Sequence, residues 1–356
     1  MKVVGVDLFT ADVPLSRPYA IANAATDAVS MVRVALTTDR GITGLGAATP
    51  EPRVTDETFT MCVDALRSVA DGLRGRSFEA PSDLATWLRA AMPDAPGARA
   101  AIDMALFDAW GKLHGRPVVD LLGRVHDAMP TSITIGVRDM PETLAEAREY
   151  LGRGFRVLKV KVGENVDLDV ERLVRLRELV GAHVPILADG NVGYTPSDLA
   201  TLLARTRSID VRLIEQPLPP DAIDAQRSLA APDVVRLVAD ESLHDPADAE
   251  RQCRSPRAFG VFNIKLMKCG GITDALEIAR TAHAGGIDLM WGCMDESVVG
   301  IAAALHAAFA SRATHWLDLD GSFDLARDFA TGGFALADGM LRTLDRPGLG
   351  VDPLDD

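Results

Sequence analysis

The sequence predicts an α/β protein: a (β/α) barrel of the TIM type with an N-terminal α+β capping domain that the C-terminal tail completes. Two observations predict the barrel. Beyond Pro130 eight short apolar stretches recur, each followed by an amphipathic one. Most of these stretches are continuously apolar, as strands covered on both faces must be. A third observation predicts the cap: the chain has 356 residues, whereas a barrel needs roughly 250.

The first third mixes two periodicities. Apolar and polar residues alternate over Lys2 to Val13 and Val32 to Thr38, and Asp39, Arg40 and Gly41 supply a turn before Ile42, which reads as an antiparallel sheet. From Glu57 to Leu73 and from Ala98 to His114 the apolar residues recur at helical spacing, among them Ala101, Met104, Ala105, Phe107 and Trp110. The cap is expected over residues 1–125.

The barrel is expected over residues 126–322. Its strands are Thr131–Gly136, Val157–Val162, Val184–Asp189, Leu213–Glu215, Leu237–Asp240, Val261–Lys265, Asp288–Trp291 and Trp316–Leu319. Stretches such as Pro196–Arg207 and Ile272–Ala284 carry the period of the outer helices. Residues 323–356, rich in Gly, Pro and Asp, are expected to return to the cap and close it.

Composition narrows the function. Hydrophobic residues make up 47% and charged residues 25%, enough apolar material for a large core. A formal net charge of -14 repels phosphate backbones and anionic lipids, so the reading is no nucleic acid and no membrane, with a small molecule as partner. No apolar run approaches the ~20 residues of a membrane span, and Asp7 and Asp12 stand where a secretory signal would be apolar, so the protein reads as cytoplasmic. Cys62, Cys253, Cys269 and Cys293 are scattered singly and read as small buried hydrophobes.

In a barrel of this kind, polar residues at the carboxyl ends of strands read as chemistry. The second strand ends in Lys159-Val160-Lys161, whose alternation points both ammonium groups inward. By themselves they could be solvated strand-end charges. The next three strands deliver Asp189, Glu215 and Asp240. Three buried acids would repel one another unless a cation sat between them, and carboxylates in an open octahedral site suit Mg²⁺, one per subunit, with Mn²⁺ as a substitute. The sixth strand points Asn263 and Lys265 inward, so that Lys265 faces Lys161 across the metal. Lys268, past the strand end, is expected to meet solvent or a neighbouring loop.

The order of Lys-x-Lys, three spaced acids, Asp-Glu-Ser and Asn-Ile-Lys-Leu-Met-Lys-Cys-Gly-Gly resembles the enolase superfamily over essentially the whole chain. Sites of that superfamily use Lys or His bases with Mg²⁺. The seventh strand end, Trp291-Gly292-Cys293-Met294-Asp295-Glu296-Ser297, has no histidine. The resemblance therefore favours the muconate-lactonizing branch, with Lys161 and Lys265 as its acid/base pair. On the eighth strand Leu317-Asp318-Leu319-Asp320-Gly321 is similar to the Asp-x-Asp that binds the substrate α-ammonium in dipeptide epimerases; helix capping at a solvated end is the plainer alternative.

This resemblance implies removal of the α-proton from the C-terminal residue of a metal-bound dipeptide by one lysine and return of a proton to the opposite face by the other. One lysine must then be neutral, and repulsion from Lys159 and the metal is expected to favour that form. Lys159 and Thr134 are implied contacts of the bound substrate. Alanine–glutamate epimerases receive an acidic side chain with basic loop residues, whereas the loop from Ala20 to Asp27 has none. Asp295 and the overall acidity suggest a Lys or Arg side chain instead, although Asp295 could equally pair with Arg53 or Arg17. Rival readings are an N-acylamino acid racemase, an o-succinylbenzoate synthase or a muconate cycloisomerase of the same branch, and a non-catalytic binding protein on the same barrel. Relatives also imply a homo-oligomer.

Overall fold

The computed structural model describes residues 1–21 and 24–354, with side chains throughout except over residues 18–26. Eight parallel strands run in strict sequence order: Ser132–Ile135, Val157–Lys161, Ile186–Asp189, Val211–Glu215, Leu237–Ala239, Val261–Ile264, Asp288–Gly292 and Thr314–Asp318. Closure comes from a parallel bridge between Thr131 and Leu317, and from the Thr131 hydroxyl, which accepts from the Leu319 amide at 2.9 Å. The third strand starts two residues later than its apolar run because Pro185 has no N–H to give the ladder.

Strand alternation divides the barrel interior into layers. Val157, Leu187, Leu213, Val238, Val261 and Met290 form one buried apolar cluster with Trp316 against it. Two residues further along each strand the same inward face carries Lys159, Asp189, Glu215, Asp240, Asn263, Gly292 and Asp318. An apolar plug thus lies beneath a polar layer, and that layer is the floor of the barrel mouth.

The cap contains an antiparallel sheet of Val3–Ile21, Ala24–Thr38 and Thr43–Ala48. Its first hairpin reaches well beyond Val13. Pro14 and Pro18 interrupt the alternation, and the ladder absorbs them with a register shift between Pro14 and Tyr19. Helix Pro96–Leu113 is buried along most of its length and packs against both the cap sheet and the barrel helices. The tail returns to the cap: Leu325 bridges Leu15, Gly348 bridges Pro117, and the Arg33 guanidinium donates to the Phe329 and Leu354 carbonyls at 3.2 and 3.1 Å. Buried Asp108 pins three segments together, accepting from the amides of Leu45 and Leu349 at 2.8 Å each and from the Lys112 ammonium at 2.7 Å.

His306, on helix Val298–Phe309, is fully buried, and its Nδ1 accepts from the Val119 amide at 3.0 Å. Burial lowers this imidazole from its ordinary 6.5 to about 3. Below pH 6.5 the unfolded chain therefore takes up a proton that the fold refuses, so the contribution of His306 to stability falls as the pH drops from 6.5 toward 3, against the opposite contribution of buried acids raised by the fold. The expected loss at pH 5 is about 2 kcal/mol. Denaturant titrations of wild type and His306→Gln at pH 7 and pH 5 should show it as a difference between the two proteins in their response to pH.

Candidate active site

The mouth of the barrel gathers the residues that the strand ends promised. Lys161 Nζ donates to Asp189 Oδ2 at 2.7 Å, and Lys265 Nζ donates to Asp240 Oδ2 at 2.8 Å. They stand on strands two and six, opposite sides of an eight-strand ring. Lys159, only 3% exposed, is the hub between them. Its ammonium lies 3.0 Å from Asp189 Oδ2, 2.8 Å from Glu215 Oε2 and 2.7 Å from Asp318 Oδ2.

Charge at this floor is heavily perturbed. Burial by itself would lower the Lys159 pKa, but Asp189, Asp318 and Glu215 outweigh it and hold the ammonium well above the ordinary lysine range. Burial likewise opposes the charge of Lys265, and Asp240 and Glu215 raise it. Lys159 does lower Lys265, as its repulsion requires, but Asp240 and Glu215 outweigh it and hold the Lys265 ammonium above the ordinary lysine range. Burial pushes up the acids too, yet Lys159 and Lys161 bring Asp189 below its usual range, and Lys265 and Lys268 do the same for Asp240.

Glu215 rises to about 8 through burial and the Asp189 charge, and Glu241 to about 7 through burial and Asp240. Such acids mark an excess of buried negative charge. Asp189, Glu215 and Asp240 offer the oxygens that a hard divalent cation takes, so the donor set fits Mg²⁺ in chemistry. Among the described residues, however, no three acids already form a ligand cluster, since each is drawn onto an ammonium.

Further residues hold this floor together. The Asn263 amide donates to Glu215 Oε1 at 2.8 Å, and Gly292 makes room for it, because a Cβ there would lie 2.6 Å from Asn263 Oδ1. Ser132 donates to Asp318 Oδ1 at 2.5 Å. Lys268 corrects an expectation: it is not at the solvent but 2% exposed, with its ammonium on Asp240. The reason is a helical turn, Leu266–Cys269, that folds the chain back after the sixth strand.

The eighth strand separates its two acids. Asp318 has both oxygens engaged by Lys159 and Ser132. Asp320 is half-buried nearer the mouth, where its Oδ2 accepts from the Thr134 amide at 2.8 Å; neither acid caps a helix. Cys293 is half-buried rather than buried, its thiol donating to the Asp318 carbonyl at 3.2 Å, and Cys253 is half-buried as well, whereas Cys62 and Cys269 are buried as expected.

Asp295 lines a cavity of about 300 Å³ between cap and barrel, together with Asp27, Glu51, Arg53, Phe59 and Met294. Arg17 lies with Glu149 at 2.8 Å and with Glu146 at 3.7 Å, and Arg53 chelates Glu51 at 2.6 and 2.8 Å. The side chains from Ala20 to Thr26, including most of the loop expected to face the substrate, lie outside the described residues.

An eight-stranded parallel barrel under an α+β cap, with acids on strands three to five between lysines on strands two and six, is the arrangement of the enolase superfamily. The chain belongs to that superfamily. Residues 4–123 match the mandelate racemase / muconate lactonizing enzyme N-terminal domain, and residues 142–356 match the enolase C-terminal domain-like family. The L-Lys-D/L-Arg epimerase of Desulforapulum autotrophicum is 51% identical over 354 residues, 99% of either chain. The L-Lys-D/L-Arg epimerase of Methylococcus capsulatus is 49% identical over 352 residues, again 99% of either chain. The crystal structure of the dipeptide epimerase from Methylococcus capsulatus, complexed with Mg and the dipeptide L-Arg-D-Lys, matches with a TM-score of 0.96 at 48% identity over 99% of both chains.

Proposed function

We propose that this chain is a Mg²⁺-dependent dipeptide epimerase that inverts the α-carbon of the C-terminal residue and prefers dipeptides of Lys and Arg. The observation that carries the reading is the pair Lys161 and Lys265, placed across the barrel and each beside an acid of the proposed metal set. A binding protein has no use for two opposed bases.

Asp189, Glu215 and Asp240 would hold the cation, which when bound supplies Lewis-acid stabilisation of charge developing on the substrate carboxylate. Lys161 and Lys265 then approach the α-carbon from opposite faces, one removing the proton and the other returning one. Asp320 receives the free α-ammonium. Asp318 holds Lys159 in place beneath it, and the Thr134 amide orients Asp320.

Preference for basic side chains rests on the acidic lining of the cavity, where Asp27 and Asp295 stand beside the Arg53–Glu51 pair and give a long cationic side chain a field of its opposite sign. The relatives named for Lys and Arg dipeptides support the same preference.

Deuterium incorporation in D₂O, followed by mass spectrometry over a library of L,L-dipeptides and N-succinyl amino acids, tests both points. Exchange is expected at the C-terminal α-carbon of free-amine dipeptides, fastest with Lys and Arg. Asp295→Leu should reduce kcat/KM on those dipeptides by roughly 10-fold, the loss of one half-buried charge contact of about 1.4 kcal/mol. Exchange confined to N-succinyl substrates would move the chain to the racemase class. An unchanged preference in Asp295→Leu would remove Asp295 from the specificity site.

A further inference from the structure

We infer that Lys268 is a positioning residue that locks Asp240 into the geometry required for cation binding; this rests on the reading of Asp240 as a ligand. The Lys268 ammonium has three hydrogens to donate and three acceptors around it. They are Asp240 Oδ1 at 2.5 Å, the Asp240 main-chain carbonyl at 2.6 Å and the Asn263 carbonyl at 3.2 Å. Nothing of its donor capacity is left for a substrate, so its action is on the protein.

A contact to both the side chain and the main chain of Asp240 fixes that carboxylate relative to its own strand end. The opposite oxygen, Oδ2, faces Lys265 at 2.8 Å. Lys268 therefore holds one oxygen of Asp240 from behind and leaves the other directed into the mouth. Its third bond ties strand five to strand six at Asn263, whose side chain in turn donates to Glu215 at 2.8 Å. One buried ammonium thus steadies two of the three proposed ligands. Its charge also offsets part of the repulsion among acids that have little solvent to screen them.

The Lys-Cys-Gly-Gly sequence explains how a lysine beyond a strand end becomes buried. The turn Leu266–Cys269 ends at Gly270 and Gly271, with φ of +97° and +117°. A Cβ at Gly270 would lie 2.7 Å from Arg99 Nε, and one at Gly271 would lie 2.5 Å from Asp103 Oδ2. Helix Pro96–Leu113 of the cap is pressed against this turn and holds Lys268 under Asp240. Lys268 also borders a cavity of about 570 Å³ at the junction of cap and barrel, lined by Arg99, His244 and Asp56 among others.

Calorimetric titration with Mn²⁺ tests the inference on the full-length protein, using wild type, Lys268→Met, Lys268→Ala and Asp240→Asn. Lys268→Met should bind Mn²⁺ about 10- to 100-fold more weakly, the usual effect of losing a group that orients a ligand. Propylammonium, admitted through the cavity, should restore part of the affinity in Lys268→Ala, which a merely structural role would not produce. Should the Met variant not fold, Lys268→Gln keeps donors without the charge and should show about a 10-fold loss. Wild-type affinity in the Lys268 variants, with affinity lost in Asp240→Asn, would overturn the positioning role alone. Wild-type affinity in Asp240→Asn would overturn the ligand reading and the inference with it.

Discussion

Lys161→Ala and Lys265→Ala are each expected to abolish epimerisation while leaving deuterium exchange in opposite epimers. The two ammonium groups stand on strands two and six of a closed eight-strand ring, so a substrate held between them presents one face to each. An enzyme left with a single lysine removes and returns the proton on one face only. The epimer whose α-hydrogen points at that lysine exchanges with retention, and the other does not react. Removing a general base costs about 10²- to 10⁴-fold, so inversion should fall by at least that much in both variants. Each substitution also strips a cation from a buried acid, Asp189 or Asp240. Mn²⁺ affinity measured alongside separates a lost base from a lost metal site. Exchange of the same epimer by both variants would contradict the two-base arrangement.

The parts of this molecule that were legible in the sequence are those governed by strand alternation. A period of two fixes that Lys159 and Lys161 share a face, that Asp189, Glu215 and Asp240 end their strands pointing inward, and that Asn263 and Lys265 meet them. Those placements needed only a strand and its direction. The burial of Lys268 is not legible in this way because a residue beyond a strand end has no such constraint; the following Gly270-Gly271 is the signal of a sharp reversal. Ser132 and Gly292 contribute through fit and hydrogen bonding, and small residues announce neither. The far half of the first hairpin is not legible in the sequence because Pro14 and Pro18 interrupt its pattern, whereas the folded ladder accommodates them at a register shift. The weight of the carboxylates against Lys159 in setting the Lys265 shift was also hidden. It depends on how many carboxylates share one ammonium, which only the assembled mouth shows.

Asp320→Asn should separate substrates that carry a free α-ammonium from those that do not. Asp318 has given both oxygens to Lys159 and Ser132, whereas Asp320 uses Oδ2 on the Thr134 amide and stands nearer the mouth. Burial and the neighbouring Asp318 charge raise Asp320 to about 7. An arriving ammonium places a cation directly against this carboxylate, so the contact is charge-assisted and largely desolvated. Asparagine keeps an oxygen for the Thr134 amide and removes only the charge. The expected loss in kcat/KM on L-Lys-L-Arg is about 10²- to 10³-fold, roughly 3–4 kcal/mol and mainly in KM. Exchange of N-succinyl-Lys, which has no ammonium, should be no slower than in the wild type. The pH dependence follows with its sign: below about 7 the wild-type carboxyl takes a proton, so KM for the dipeptide should rise as the pH falls, whereas the Asn variant should stay flat. Equal losses on both substrates would instead assign Asp320 to holding the Thr134 segment in place, and the choice between free-amine and acylated substrates would have to lie elsewhere in the mouth.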